Sequence, residues 1–270
     1  MGFASLGSGS RGNGTVVALT PPGDDAATRT INFLVDCGFS LKQSERRLSR
    51  LGLSGGDLDA IFVSHEHSDH IAGVAALAHK YNVAVFASHG TLKKSGAEFA
   101  ATAFDGDTRF QLEGIDINPV CVPHDAREPT QFVFSNGKET VGVLSDLGCV
   151  TQHVVDQYRE CTHLLMEANH DPQMLMRGSY PQSLKRRVSA DYGHLSNEQA
   201  LKFLDAVKHD DLEVVIGHVS EQNNRIDILE AMFATRRAEV RSLQIATQKT
   251  GVDWIGDRPI VRQVSFSELG

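Results

Sequence analysis

A mixed α/β fold, with two β-sheets flanked by helices, is predicted from three observations. The chain of 270 residues, 41% of them hydrophobic, alternates short apolar strands with helical stretches. It carries more strands than one doubly wound sheet needs. Several of those strands end directly in histidine or aspartate, as where ligands bind beyond the carboxyl ends of strands. No linker, repeat or low-complexity stretch divides the sequence, so one domain over residues 1–270 is expected.

The elements can be justified in order. "SLGSGSRGNGTVVAL" places Gly7, Gly9 and Gly12 in a G-x-G-x-x-G pattern, the fingerprint of a dinucleotide-binding turn. That fingerprint requires a following helix, whose N-terminus holds the pyrophosphate. Thr15–Leu19 is β-branched, apolar and short, so a hairpin is expected instead. "PPGDD" at 21–25 reads as a loop between strands. "RTINFLVDCG" is a strand ending in Asp36, and "SLKQSERRLSRLG" an amphipathic helix stopping at Gly52. "LDAIFVSH", "VAVFAS", "IDINPVCV", "TQFVFSN", "ETVGVLSD", "THLLMEA" and "LEVVIGH" are strands, with a hairpin turn at Asn136-Gly137. "IAGVAALAHKY", "SNEQALKFLDAV" and "RIDILEAMFATRRAEV" are helices, the second opened by a capping box of Ser196 and Gln199. "RSLQIATQKTGVDWI" returns to β structure.

Composition excludes several classes. No run of 18 apolar residues is present, so no membrane span and no membrane partner is expected. The N-terminus lacks a basic and apolar signal pattern. Cys37, Cys121, Cys149 and Cys161 are scattered, as expected for reduced thiols in a cytoplasmic protein. A net charge of −8 argues against non-specific coating of nucleic acid, while leaving room for a local basic groove.

The chemistry concentrates in "SHEHSDHIAG". His65, His67, Asp69 and His70 fall within six residues at a strand-to-helix turn. Four such side chains without a partner charge need solvent or a cation, and imidazole with carboxylate suits Zn, Mn or Fe. In an extended segment His65 and His67 point the same way. Asp69 and His70 lie one turn further and can serve a second, neighbouring metal.

An H-x-H-x-D-H segment after an apolar strand resembles the metal signature of the metallo-β-lactamase superfamily. The resemblance implies an αββα sandwich and, later in the chain, a His, an Asp and a His. His124 in "VPHDAREP", Asp146 in "VLSDLG" and His218 in "IGHVSEQNN" stand in that order. By this resemblance His65, His67 and His124 hold one divalent ion, Asp69, His70 and His218 another, and Asp146 bridges them. His67 occupies a position where the flavo-diiron branch has Glu, which favours hydrolysis. "SLGSGSRGNGT", "LMEANHD", "YPQSLKRRV", "GHLSNEQA" and "GHVSEQNN" are similar to the YycJ/WalJ-like, exonuclease-like subgroup, from Ser5 to Asn224. The acidic net charge departs from what a DNA enzyme suggests.

The resemblance implies a DNA exonuclease acting 5′ to 3′ with two Zn or Mn ions and a hydroxide between them. Asp69 and Asp146 are expected to orient the attacking hydroxide, and His194 to donate a proton to the leaving oxygen or contact phosphate. Ser10, Arg11 and Asn13 of the glycine turn, with Arg186 and Arg187 of the basic run before His194, are the expected substrate contacts. Glu167, Asn169 and His170 are candidate partners for a metal-bound imidazole, with a loop cap as the alternative for Asn169. Arg46, Arg47, Arg236 and Arg237 read as solvated helix faces. The alternative is a small-molecule hydrolase on the same fold: a cyclic phosphodiesterase, thioesterase or lactonase. The 72 positions from Asp146 to His218 leave little room for the large inserted domain of the β-CASP nucleases.

Overall fold

In the computed structural model, which describes residues 2–23, 29–96 and 99–256, the strands form two seven-stranded sheets. In chain order the first sheet holds β1 (Gly2–Gly7), β2 (Gly14–Leu19), β3 (Ile31–Val35), β4 (Ala60–Val63), β5 (Ala84–Ser88), β6 (Thr102–Phe104) and β14 (Val252–Gly256). The second holds β7 (Phe110–Leu112), β8 (Ile115–Cys121), β9 (Thr130–Ser135), β10 (Thr140–Leu144), β11 (His163–Glu167), β12 (Glu213–Gly217) and β13 (Ser242–Ile245). Each sheet is antiparallel at one side and parallel at the other. β3 to β6 run parallel, and so do β10 to β13.

Aromatic side chains fill the space between the sheets. Phe33, Phe62, Phe132 and Phe134 are fully buried there and stack or meet edge-on, with centroids 5.2–5.9 Å apart. Strands buried on both faces explain the near-continuous apolar runs in the sequence. Helices close the outer faces. α1 (Leu41–Arg50), α2 (Ser68–Ile71), α3 (Val74–Tyr81) and α4 (His89–Ser95) connect the strands of the first sheet, where Leu48, Val74 and Leu77 join the core. α5 (Gln152–Tyr158), α6 (Pro172–Arg177), α7 (Gln182–Val188), α8 (Asn197–Val207) and α9 (Ile226–Phe233) belong to the second half, where Tyr158, Phe203 and Phe233 are fully buried. The layers are helix, sheet, sheet, helix, as expected.

The local signals hold. Ser196 Oγ accepts from Gln199 N at 3.3 Å, and Gln199 Oε1 accepts from Ser196 N at 2.9 Å, closing the capping box of α8. Asn136 Oδ1 accepts from the amides of Lys138 and Glu139, and Gly137 takes φ 83°, turning β9 into β10. The glycine segment joins β1 to β2 as an antiparallel hairpin with Gly7 opposite Gly14, so no helix follows it. α9 is shorter than the sequence suggests: a 3-10 turn replaces it over 234–238. The "PPGDD" loop lies partly outside the described residues. The four cysteines are free thiols, and no helix among the described residues is long and apolar enough to cross a membrane.

Candidate metal centre

Five parallel strands deliver side chains to one edge of the sandwich. Asp36 follows β3, His65 follows β4, Asp146 follows β10, Glu167 ends β11 and His218 follows β12. His67, Asp69 and His70 come from the turn into α2, and His124 from the loop after β8. Asp36 and His218 both adopt left-handed backbone, with φ 61° and 50°. That conformation is costly for residues other than glycine and is characteristically retained at functional sites.

The seven sequence-predicted ligands converge. Ligand atoms of His65, His67 and His124 lie within 4.8 Å of one another, and so do those of Asp69, His70 and His218. Asp146 stands between the two groups. Its Oδ2 is 3.0 Å from His70 Nε2, and its Oδ1 lies 3.7 Å from His124 Nε2 and 3.5 Å from His218 Nδ1. His65 Nε2 and His67 Nδ1 are 3.0 Å apart. Both ring nitrogens of His218 are buried without a hydrogen-bond partner. A buried imidazole is expected to be hydrogen-bonded or coordinated. This donor set of imidazoles and carboxylates, facing inward with orphaned nitrogens, fits divalent cations.

Hydrogen bonds on the far side of the imidazoles fix their tautomers. His124 Nδ1 donates to Gly193 O at 3.0 Å, which turns Nε2 inward. His70 Nδ1 meets Asp36 Oδ2 at 2.7 Å. Ser64 Oγ donates to the same Oδ2 at 2.8 Å and lies 2.9 Å from His65 Nδ1. One buried carboxylate therefore orients two ligands, the arrangement that usually supports metal-bound histidine.

Charge coupling is strong. Burial works against ionising Asp146, yet His218, His70 and His124 hold its carboxyl well below the ordinary range. Burial pulls His70 and His218 down, but Asp146 and the other carboxylates outweigh it. His70 is held well above the usual imidazole value, and His218 is pushed up to about 10. Burial and the neighbouring His70 charge drive His65 well below that value. Burial also opposes a proton on His194, and Glu167 reverses the balance and raises it.

A cavity of about 380 Å³ opens over this cluster. His194 lies on its wall with Nδ1 3.2 Å from Glu167 Oε1 and 3.4 Å from Asp146 Oδ1. Glu167 is fully buried and also accepts from the amides of Leu147 and Leu195. The expected substrate contacts separate. Ser10 lines the cavity, and so does Arg187, which ion-pairs with Asp125. Arg11 lies outside the cavity lining, with its guanidinium 2.6 Å from Glu221. Arg186 is exposed away from it. Asn13 is buried beneath the turn, where Nδ2 lies 3.3 Å from Asp69 Oδ2 and 3.0 Å from His70 Nε2. An anion nest in the glycine turn is largely closed, because the amides of Gly9, Arg11, Gly12 and Asn13 already have protein acceptors.

Two residues escaped the sequence reading. Asp36 carried a signal, an acid at a strand end like those of Asp146 and His218. Gln248 carried none. Its side chain bridges the glycine turn, accepting from Arg11 N at 2.8 Å and donating to Gly12 O at 2.9 Å. Gly38 explains the close approach of the turn to the ligands: a Cβ there would sit 1.7 Å from Asp69 O. Gly38 N donates to Asn13 O, and Asn13 N to Asp69 O at 2.7 Å.

Comparison with known proteins agrees with this geometry. The family model described as "Beta-lactamase superfamily domain" matches residues 31–218. The chain is 32% identical over 231 residues to exodeoxyribonuclease YycJ of Bacillus anthracis, covering 82% of this chain and 83% of that one. It is 32% identical over 246 residues to exodeoxyribonuclease WalJ of Streptococcus pneumoniae, covering 88% of each. Among solved structures, the metallo-beta-lactamase fold protein YhfI of Bacillus subtilis matches with a TM-score of 0.67 at 15% identity, over 91% of this chain and 96% of that one.

Proposed function

The chain belongs to the beta-lactamase superfamily, and from that premise we propose that it is a metal-dependent phosphodiesterase that degrades DNA from the 5′ end. The observation that carries this reading is Asp146, set between two triads of ligand atoms and within 3.4 Å of the His194 imidazole. The 32% identity to two proteins named exodeoxyribonucleases supports DNA as the substrate.

His65, His67 and His124 would hold one divalent ion, Zn or Mn, and Asp69, His70 and His218 a second, with Asp146 shared. Such ions, when bound, acidify water into a nucleophile and neutralise charge on the phosphoryl group. The chain's own residues do the rest. Asp69 and Asp146 supply acceptor oxygens facing the reacting centre and orient the nucleophile. Asp36 and Ser64 keep the inward nitrogens of His65 and His70 free of protons when ligated. Glu167 accepts a hydrogen bond from the Nδ1–H of His194 and favours the protonated ring, so that Nε2–H can pass to the departing oxygen and leave a neutral imidazole. Ser10 and Arg187 line the cavity where the diester enters.

End-labelled single- and double-stranded DNA, supplied with Mn or Zn, tests the proposal. Stepwise loss of 5′ nucleotides supports it. Hydrolysis of a thioester or a cyclic phosphodiester with DNA left intact replaces it with the small-molecule reading.

A further inference from the structure

Eight arginines and lysines among the described residues are paired with a carboxylate. Arg29, Arg159, Arg187, Arg225 and Arg236 each lie within 3.0 Å of an aspartate oxygen. Lys80 and Lys208 are paired with glutamates or aspartates as well. Among the unpaired cations, four are gathered on one surface. Arg46, Arg47 and Arg50 on α1 and Lys249 on the turn between β13 and β14 have no carboxylate partner among the described residues.

Two of these guanidiniums, those of Arg47 and Arg50, are nevertheless held in place. Arg47 donates to Leu6 O and to Lys249 O and lies 4.1 Å above the Phe39 ring. Arg50 donates to Ser5 O at 3.2 Å. Carbonyl oxygens orient these cations without neutralising them. Burial, and after it the charges of Arg50 and Arg46, pull Arg47 down from its ordinary value, and the three cations line one depression. Such crowding is unfavourable in the free chain and is relieved by a polyanion.

The cluster is also joined to the cavity. A depression lined by Gln43, Arg46, Arg47, Arg50 and Lys249 shares Gln43, Arg47 and Lys249 with a second one that reaches Arg11 and Glu221. Those two are the chain neighbours of Ser10 and Ser220, which line the cavity. Neighbouring residues of the glycine turn and of the loop after β12 therefore line the cavity on one side and the second depression on the other, and they form the surface between the candidate metal centre and the exposed cations of α1.

We propose that this surface is a track for the phosphodiester backbone of DNA, leading the strand whose end lies in the cavity across the glycine turn and onto Arg46, Arg50 and Lys249. The track rests on the nuclease reading and explains how a chain of net charge −8 engages a polyanion. Arg46 is exposed on α1, as a solvated helix face requires, and Arg47 is half-buried beside it.

The test is the triple variant R46A/R50A/K249A. Arg47 is left in place because it packs on Phe39 and anchors the turn. Binding of a long fluorescent duplex is followed by anisotropy in EDTA over a salt series, and cleavage is followed separately with metal. The expected result is a Kd for DNA raised about tenfold or more near physiological salt, with the log–log salt slope reduced by about 0.9 per phosphate contact removed. KM for DNA rises with Kd, and the melting temperature is unchanged. The ion-paired triple R159A/R225A/R236A binds DNA like the wild type. An unaltered Kd and salt slope in R46A/R50A/K249A, beside normal wild-type cleavage, overturns the track alone. A wild-type protein that hydrolyses bis-p-nitrophenyl phosphate yet neither binds nor cuts DNA overturns the nuclease reading and the track with it.

Discussion

Asp36 Oδ2 lies 2.7 Å from His70 Nδ1, so a carboxylate from the end of β3 sets the direction in which a ligand on α2 faces. The same oxygen accepts from Ser64 Oγ, which in turn meets His65. Ligands of both expected metal sites thus depend on one residue outside the ligand set. Asp36→Asn keeps the shape, and Asn tolerates the left-handed backbone found there. The variant is expected to fold and to bind divalent metal about 10- to 100-fold more weakly. Competition against a chelating dye measures this, and unchanged affinity contradicts the positioning role.

His194 and Glu167 make a prediction about leaving groups. If His194 Nε2 protonates the departing oxygen, its loss matters most where that oxygen is a poor leaving group. His194→Ala is expected to lower kcat on DNA by about 10²- to 10⁴-fold. The same variant loses far less on bis-p-nitrophenyl phosphate, whose phenolate departs unaided. Glu167→Gln follows the same pattern more weakly. Equal losses on both substrates assign His194 to binding.

Protonation opposes metal uptake. Burial disfavours charge on His218 and His70, yet the surrounding carboxylates hold both above the usual imidazole value, His218 up to about 10. His218 therefore carries a proton across the neutral range in the metal-free chain, His70 is biased the same way, and each must present an unprotonated nitrogen to bind a cation. Metal affinity is expected to tighten as pH rises and to weaken as it falls. Calorimetry in buffers of different ionisation enthalpy detects the released protons. Uptake without proton release contradicts the coupling.

Asn13 separates two roles for the glycine turn. As a substrate contact it should affect KM for DNA and leave metal affinity untouched. In the structure it is buried, with Nδ2 3.3 Å from Asp69 Oδ2. Asn13→Ala is therefore expected to weaken metal binding by about tenfold even without DNA, as loss of an outer hydrogen-bond partner does. A raised KM with unchanged metal affinity restores the contact reading.

These relationships mark what was legible in the sequence. The clustering of the candidate ligands was, because His65, His67, Asp69 and His70 are adjacent in the chain, and Asp146 and His218 each follow an apolar run. The layers were also legible, since strand and helix periods differ. Asp36 was visible only as an acid after a strand, which a turn explains equally well. Gln248 reaches the glycine turn from the far end of the chain, and no local pattern encodes that. Arg46 and Arg47 read as a solvated helix face, and Arg46 is exposed there; that Lys249 stands beside them across the turn belongs to the tertiary arrangement. The helices α6 and α7, which bring Arg187 to the cavity, are short and weakly periodic, so composition outweighed their pattern.

The central claim is that Asp146 joins two cation sites that together cleave DNA. Metal content and 5′-end-labelled DNA cleavage, measured on one preparation of wild type and of Asp146→Ala, test it most directly. Two divalent ions per wild-type chain with progressive 5′ shortening are expected, with loss of both metal and cleavage in the variant. An Asp146→Ala protein that retains its metal and full nuclease activity contradicts it.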